Sequence, residues 1–381
     1  MRTLPTKKKV IVQVALTYLP DIGGGETHLR DLVSYISKYH DTVVITMKPY
    51  QSRKEKVPLV EKTGNVSVVR IPRPMRSLIY SNGKWRPFAT LIYLPYFYIY
   101  VAFWSLRYKN AIIAFHLHGL LLAPLCVFLK RITGRKCIIS VHFTFKRGGK
   151  ILEEVVLWGL RRADHVLALS ELEKENLIKL GIPREKVLKF TYWVDLESFK
   201  PIERAIAREK LGIDKSIFMV LFVGRLIEEK GIDIVLEVAK NMEKIEFYII
   251  GDGPLREKVL KSSSEIKNLH YVGPVDNFSL PSWYSASNVL VVPSTSEEGF
   301  GRVIIEAFAC GIPVIGSNLG GIPEAIQPHV GKIVSPNPQE FIKAISEVSK
   351  SSYSRWEIRK YAEERFGLKN AETILRCLID Y

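Results

Sequence analysis

Short, mostly apolar runs alternate with segments of helical periodicity along most of the chain. In the N-terminal half these runs cover residues 10–16, 42–46, 66–71, 111–115, 137–141 and 163–169. In the C-terminal half they cover residues 218–223, 246–250, 289–292, 313–315 and 332–334. Runs of this length, separated by helices, are typical of parallel sheets wrapped by helices. The pattern predicts two α/β domains, and the charged, proline-containing segment 51–62 predicts a loop.

One segment, residues 294–316, breaks this pattern at a single position. A polar loop leads into residues 302–310, which are apolar almost all round and predict a buried helix. Glu306 places a carboxylate in that helix, and we expect it to pair only with a ligand. Glu298 lies in the preceding glycine-containing loop, where backbone can approach a ligand and a helix N-terminus favours negative charge. The segment predicts an anion at the helix start, flanked by two acidic groups suited to binding hydroxyls.

The spacing of Glu298 and Glu306 within EGFGRVIIEAFACGIPVI resembles the signature of retaining nucleotide-sugar glycosyltransferases of family 4, which have the GT-B fold. The alternative is a buried helix with one internal ion pair. The resemblance implies two Rossmann-like parallel-sheet domains facing a central cleft. The acceptor-side domain would cover residues 1–195 and the nucleotide-sugar-binding domain residues 196–355. A helical tail, residues 356–381, would cross back to the first domain.

Cationic side chains follow the strand predicted at residues 218–223. Arg225 offers a fixed donor fork and Lys230 a point charge, both suited to a diphosphate, although solvated surface charge is the alternative. The resemblance implies that these two residues neutralise the leaving diphosphate, that Glu298 holds sugar hydroxyls, and that Glu306 binds the ribose. It implies further donor contacts at Gly23, Gly24, Val275, Gly299, Phe300, Gly301, Arg302 and Val303. The Gly23–Gly24 turn is alternatively a tight turn that only feeds a helix.

A histidine stands at the carboxyl end of the strand predicted at residues 137–141. Open α/β sheets bind ligands at such ends, and His142 resembles the family histidine that contacts the donor sugar. His116 and His118 also follow a strand end and compete for this role. Residues 189–201 resemble the family's inter-domain segment, but Tyr192 and Trp193 stand where Asn and Gly are usual.

Composition narrows the class of partner. Among 381 residues, 47% are hydrophobic and 25% are charged, as in ordinary globular proteins, but the formal net charge is +16. This charge favours an anionic partner: nucleotide phosphates, nucleic acid or an acidic membrane. Nucleic acid is disfavoured because the basic residues are dispersed and no helix-turn-helix, zinc or RNP motif occurs. The four scattered cysteines lack metal or redox spacing and read as reduced thiols of a cytosolic chain.

The segment 88–106 is uncharged, rich in aromatic residues and flanked by Arg86 and Arg107. Three interpretations stay open: a buried or half-buried helix, an element lying on a membrane surface, and a membrane span. For the membrane surface we expect contacts from Tyr96, Phe97 and Tyr100. The acceptor is then a lipid-linked molecule or a glycan, and the protein is cytoplasmic or peripheral on the inner face of the cytoplasmic membrane.

The sequence therefore predicts a retaining hexosyltransferase that uses a UDP- or GDP-sugar as co-substrate and needs no metal or other cofactor. The alternatives are a nucleotide-sugar epimerase of GT-B fold, a glycoside hydrolase and a nucleic-acid-binding protein. A hydrolase needs two carboxyls roughly 5–5.5 or 6.5–9.5 Å apart. A helix would separate positions 298 and 306 by about 12 Å, which disfavours that reading.

Overall fold

The computed structural model describes residues 9–21, 23–49, 57–73, 86–141 and 149–379, and for residues 86–92 it describes the backbone alone. The chain divides into two compact units. The first comprises Met1–Leu169, Lys174–Phe190 and Ala371–Tyr381, and the second comprises Ser170–Glu173 and Thr191–Asn370. The boundaries at residues 195/196 and 355/356 stay predictions from the resemblance.

The first unit is built on an eight-stranded sheet in the order β3-β4-β2-β1-β5-β6-β7-β8. The strands are β1 (Val10–Ala15), β2 (Asp41–Met47), β3 (Val60–Thr63), β4 (Val66–Ile71), β5 (Ile112–His118), β6 (Lys136–Val141), β7 (His165–Ala168) and β8 (Val187–Lys189). All neighbours are parallel except β3 and β4. Strand β3 corrects the loop expected up to residue 62: its four side chains are exposed at the sheet edge, so no apolar run marks it.

Helices cover this sheet in layers. They are α1 (Gly24–Ile36), α2 (Arg86–Tyr108), α3 (Ala123–Thr133), α4 (Lys150–Arg162), the greater part of α5 (Glu171–Lys179), and α14 (Lys369–Ile379). Helices α2, α3 and α4 pack side by side, and their inner faces share one hydrophobic core with the strands. Gly159 permits the α3–α4 approach, because a Cβ there would lie 2.4 Å from the carbonyl carbon of Ala123.

Helix α2 is half-buried. Tyr93, Phe97, Val101 and Trp104 face the core, and the opposite face lies open. The expectation that Phe97 contacts a membrane is therefore wrong, because this side chain is 0% exposed and the helical period turns it inward. Within the described part of the chain, no helix has the length and apolar character needed to cross a bilayer.

The second unit is built on a six-stranded parallel sheet in the order β11-β10-β9-β12-β13-β14. The strands are β9 (Met219–Val223), β10 (Glu246–Ile250), β11 (Leu269–Gly273), β12 (Val289–Val292), β13 (Val314–Ser317) and β14 (Gly331–Val334). The helices are α6 (Arg204–Leu211), α7 (Ile232–Asn241), α8 (Arg256–Glu265), α9 (Leu280–Ala286), α10 (Arg302–Ala309), α11 (Ile322–Ala325), α12 (Pro338–Lys350) and α13 (Arg355–Arg365).

Each sheet has one point where the chain reverses its direction of progress. In the second sheet β9 lies between β10 and β12, so the connections after β9 and β12 leave toward opposite edges. In the first sheet the corresponding pair is β1 and β5. Ligands of open α/β sheets bind in the crevice at the carboxyl ends of such strand pairs. Ligand-binding residues are therefore expected in the loops after β9 and β12, and in those after β1 and β5.

Candidate functional site

The loops after β9 and β12 are joined by an ion pair. Lys230 ends a short 3-10 helix, Glu228–Lys230, and its Nζ lies 2.7 Å from Oε2 of Glu298. The carboxylate also accepts a hydrogen bond from the Ser294 hydroxyl. Both partners of the ion pair keep part of their surface in solvent. A point charge and a carboxylate are thus held together at the switch point, within reach of a ligand.

Glycine is required where these two loops touch. Gly231 has φ of +70°, and a Cβ there would lie 1.9 Å from the carbonyl oxygen of Pro293. The amide of Thr295 donates to the carbonyl of Glu229 at 3.0 Å, which closes the contact. These backbone contacts therefore fix the positions of the two loops and hold Lys230 close to Glu298.

The loop after β13 supports the Glu298 backbone. The amide of Gly321 donates to the carbonyl of Glu298 at 2.7 Å. A Cβ on Gly320 would lie 2.2 Å from the Glu298 carbonyl oxygen, and one on Gly321 would lie 2.0 Å from that of Gly299. The sequence signal for this support was the Gly-Gly pair itself, but its partner in space is not visible from the sequence.

Helix α10 begins directly after this loop. Its N-cap is Gly301, with φ of +76° and no side-chain capping bond. The first amide groups of an α-helix have no partner within the helix, and a missing side-chain cap leaves them available to an anion. Arg302 and Val303 form the first turn, so the helix begins where the sequence predicted it, and its binding of an anion stays a prediction.

Glu306 already has two protein partners. Its side chain is 4% exposed, Oε1 accepts from Nε of Arg302 at 3.0 Å, and Oε2 accepts from the hydroxyl of Tyr284 at 2.9 Å. The expectation of a carboxylate paired only with ligand is therefore wrong, because the i, i+4 spacing stacks Arg302 on Glu306. Burial, and then the negative charge of Glu306, hold the pKa of Tyr284 well above its ordinary value.

Phe300 is an anchor for the loop. It is buried, with its ring centroid 5.6 Å from that of Phe366 and 6.4 Å, edge-on, from that of Tyr192. Tyr192 stands where the family usually has a small polar residue, and its ring fills space beside the loop. Trp193 is also fully buried. The ring of Tyr192 thus packs against the ring of Phe300 in the loop of residues 298–301.

The remaining donor-side candidates follow neighbouring strands. Arg225 is exposed just after β9, and Val275 is half-buried after β11. Gly224 lies under the loop after β10, since a Cβ on Gly251 would be 1.8 Å from the Gly224 carbonyl oxygen. Because each follows the carboxyl end of a strand, Arg225 and Val275 lie at the same edge of the second sheet as Lys230 and Glu298.

The first unit holds the glycine turn and the histidines. Gly23 is the N-cap of α1 and Gly24 its first residue. Nε2 of His116 is 2.7 Å from Oγ of Ser140, and Nε2 of His118 is 2.8 Å from Oε1 of Gln13, so both histidines are engaged within the sheet. His142 lies outside the described residues, and its role stays a prediction.

Among the residues that the structure describes, no group of three His, Cys, Asp or Glu side chains could hold a metal ion. The cysteines are free thiols, and Cys126, Cys137 and Cys310 are buried. Burial raises the pKa of Cys310 to about 12, and the Glu306 carboxylate adds to that shift.

Comparison with known proteins identifies the family. The model of Glycosyl transferases group 1 matches residues 203–365, and that of Glycosyltransferase Family 4 matches residues 22–198. The chain therefore belongs to the glycosyltransferases with the GT-B fold. Within that class it is a member of family 4, the group 1 glycosyl transferases.

Two curated relatives match the chain at 33% and 25% identity. The chain is 33% identical over 186 residues to D-inositol 3-phosphate glycosyltransferase 2 of Catenulispora acidiphila, a match to 43% of this chain and 42% of that protein. It is 25% identical over 357 residues to a phosphatidylinositol N-acetylglucosaminyltransferase subunit of Arabidopsis thaliana, covering 90% of this chain and 74% of that protein. The chain thus spans about half the length of the first curated relatives that it matches.

Solved structures agree on the fold. Sucrose-phosphate synthase of Thermosynechococcus elongatus superposes with a TM-score of 0.83 at 21% identity, covering 97% of this chain and 98% of that one. Anabaena HepE in complex with UDP-glucose superposes with a TM-score of 0.77 at 18% identity, covering 98% of this chain and all of the other (100%). At this identity the likeness establishes the fold alone.

Proposed function

We propose that this protein is a retaining glycosyltransferase that moves a hexose from a UDP- or GDP-sugar to a lipid-linked or glycan acceptor. The observation that carries the proposal is the Lys230–Glu298 pair at the switch point of the second sheet. A cation suited to phosphate and a carboxylate suited to hydroxyls stand side by side there, as the two ends of a sugar diphosphate require. HepE, a protein of the same fold, was solved in complex with UDP-glucose.

The proposed chemistry is electrostatic. Negative charge develops on the diphosphate as the sugar leaves, and prearranged positive groups lower that barrier. Lys230 and Arg225 supply the cationic side chains, and the uncapped start of α10 at Gly301 supplies backbone amides. The family resemblance assigns the same role to the backbone amides of the Gly23–Gly24 turn. In the free protein the Glu298 carboxylate pairs with the Lys230 ammonium group. When the donor binds, a phosphate replaces this carboxylate beside Lys230, and Glu298 binds the sugar hydroxyls instead.

In this proposal the buried carboxylate of Glu306 binds the nucleoside end of the donor. Each Glu306 oxygen already accepts one protein hydrogen bond, and a carboxylate oxygen has a second lone pair to offer. Arg302 and Tyr284 hold the Glu306 carboxylate in place, and in this proposal its remaining lone pairs accept from the ribose hydroxyls. Val275 contributes the backbone near the base, and Gly299, Phe300 and Val303 shape the loop around the donor. His142 contacts the sugar and the incoming acceptor.

Two observations bear on the acceptor. One relative that spans most of this chain bears the name of a phosphatidylinositol N-acetylglucosaminyltransferase, and the net charge of +16 favours an anionic surface. We propose a lipid-linked acceptor at the cytosolic face of the membrane, with no metal and no cofactor beyond the nucleotide sugar.

A thermal-shift screen of UDP- and GDP-sugars tests donor binding, because a ligand of the native state raises the unfolding midpoint. The bound donor is then incubated with and without acceptor, and the products are resolved by NMR. Acceptor-dependent release of nucleoside diphosphate supports transfer. Conversion of the donor without acceptor would favour the nucleotide-sugar epimerase instead.

A further inference from the structure

Three neighbouring helices of the first unit expose apolar side chains on their outer faces. Helices α2, α3 and α4 pack against one another in one layer, with their inner faces in the core. The outer faces carry Tyr96, Ile99, Phe103 and Leu106 on α2, Phe128 on α3, and Ile151, Val155 and Trp158 on α4, here called the apolar surface. Ile99 is 70% exposed and Ile151 is 83% exposed. Apolar side chains exposed together on neighbouring helices mark an interaction site.

A row of cations borders the apolar surface. Arg107 follows Phe103 by four residues, Arg131 follows Phe128 by three, and Arg162 follows Trp158 by four. These spacings place each arginine on the same helix face as its apolar neighbour. All three arginines are exposed, and the Arg162 guanidinium lies 4.9 Å from the centre of the Trp158 ring.

The cations stand at one end of the layer. Each of the three helices leads into a strand of the same parallel sheet, β5, β6 or β7, so the helices run in the same direction. Their last turns, which carry the arginines, therefore lie along one edge. The three helices together contain seven Lys or Arg and two acidic residues. The surface is thus apolar in the middle and positive along one border.

We infer that this surface docks onto a bilayer with anionic headgroups, the apolar side chains entering the headgroup–acyl boundary and the arginine row meeting lipid phosphates. Aromatic and aliphatic side chains beside a basic border have the composition of interface-lying elements. A second copy of the chain fits less well, because two such helix layers carry the same net positive charge and repel each other. The inference deepens the proposed function, on whose lipid-linked acceptor it rests, and it names the surface that carries the enzyme to its substrate.

Vesicle flotation tests the inference on the full chain. Vesicles of phosphatidylcholine alone and of phosphatidylcholine mixed with phosphatidylglycerol are compared at low and high salt. We expect binding to the anionic vesicles that weakens with salt. The variant Phe103→Ser/Ile151→Ser should bind at least about 10-fold more weakly, because two inserted side chains are lost. The variant Arg131→Glu/Arg162→Glu should lose the preference for anionic lipid.

Matched controls separate docking from folding. Phe278 is 87% exposed and Ile206 is 57% exposed, and both belong to the second unit. Phe278→Ser/Ile206→Ser removes as much exposed apolar surface and should leave vesicle binding unchanged. Circular dichroism and the thermal midpoint confirm that each variant folds, and Phe128→Ser provides an independent single change on α3.

Three results would overturn the inference. The first is equal vesicle binding by the Phe103→Ser/Ile151→Ser variant and the control, and the second is no binding by the wild type. The third is a wild-type dimer in solution that the same variant dissociates, which would make a second copy the occupant. Failure of the proposed function is seen separately: nucleotide-sugar stabilisation depends on the second unit, so its absence with intact vesicle binding would reject the enzyme and leave the surface standing.

Discussion

Nζ of Lys230 lies 2.7 Å from Oε2 of Glu298, and this contact joins the loop after β9 to the loop after β12 across the switch point of the second sheet. The two residues are 68 positions apart in sequence and carry opposite charge, so their meeting follows from the strand order. A diphosphate and a sugar hydroxyl set require such neighbours. The proposed mechanism starts with the exchange of this ion pair for contacts with the donor.

Lys230→Ala should lower kcat/KM by roughly 10²-fold or more, because a positive partner of the developing diphosphate charge is lost. The stability cost should be about 1 kcal/mol or less, since the ion pair is partly exposed. Lys258→Ala is the matched control, because Lys258 forms an exposed 2.6 Å pair with Asp233 in the same unit. Steady-state rates and urea unfolding are measured for both variants. Near-normal turnover in Lys230→Ala would show that the ion pair of Lys230 is only structural.

Arg225→Ala should also lower turnover by roughly 10²-fold, with the fold unaffected because the side chain is exposed. Lys230→Arg should restore activity only in part, since a planar fork does not replace a point charge. The comparison separates charge from geometry. Equal activity in Lys230→Arg and the wild type would show that charge alone suffices at position 230.

Glu306→Ala should reduce donor affinity and also destabilise the protein by about 3 kcal/mol, because it breaks a buried ion pair. Tyr284→Phe removes one hydrogen bond to the same carboxylate and should cost about 1 kcal/mol while donor binding persists. Donor titration by calorimetry and urea unfolding distinguish the two effects. A folded Glu306→Ala protein with unchanged donor affinity would exclude the ribose role.

Gly320→Ala should impair activity by displacing the Glu298 backbone, whose carbonyl oxygen would lie 2.2 Å from the new Cβ. Gly134→Ala provides a close control: its φ of +67° resembles the +60° of Gly320, but nothing lies within 4 Å of its Cβ position. Both changes should cost on the order of 1 kcal/mol for the left-handed backbone. Only Gly320→Ala should lower kcat/KM, and equal activity in both proteins would remove the loop-support role.

Glu173 should make stability depend on pH. It is 5% exposed, and burial together with the charge of Glu297 raises its pKa to about 7. The folded state then holds a proton that the unfolded state releases near pH 4.5, so stability falls as pH rises between about 4.5 and 7, by about 3 kcal/mol in total. Glu173→Gln should flatten this slope, whereas the exposed Glu185→Gln should not. Unfolding midpoints at about pH 5 and pH 8 measure it, and parallel slopes for all three proteins would contradict the assignment.

The elements that the sequence predicted are those with continuous apolar runs. Strands such as β12 (Val289–Val292) and the helix α10 are buried on all sides, so composition alone marks them. Strand β11 (Leu269–Gly273) escaped because its three middle residues are only half-buried and two are His and Tyr. An edge strand leaves no clear pattern, since solvent replaces one of its neighbours.

The site was predictable as a set of residue types and not as a set of contacts. Glu298, Lys230 and Gly301 lie where strand ends and a helix start were expected. The Arg302–Glu306 ion pair is the internal pair that the sequence left open as the alternative, and its i, i+4 spacing is local. The hydrogen bond from Tyr284 was not foreseen, because Tyr284 lies on a helix 22 residues earlier. The packing of Gly320 and Gly321 on the Glu298 loop was hidden for the same reason. Proximity created by sheet order is a property of the fold.

The most direct test of the proposed function follows the anomeric carbon of the transferred sugar. The nucleotide sugar that stabilises the protein is supplied with a membrane lipid extract or with soluble glycans, and NMR reads the product linkage for the wild type and for Lys230→Ala. We expect acceptor-dependent transfer with the donor's anomeric configuration kept, and a loss of roughly 10²-fold in the variant. An inverted product, or a donor sugar changed without any acceptor, would contradict it.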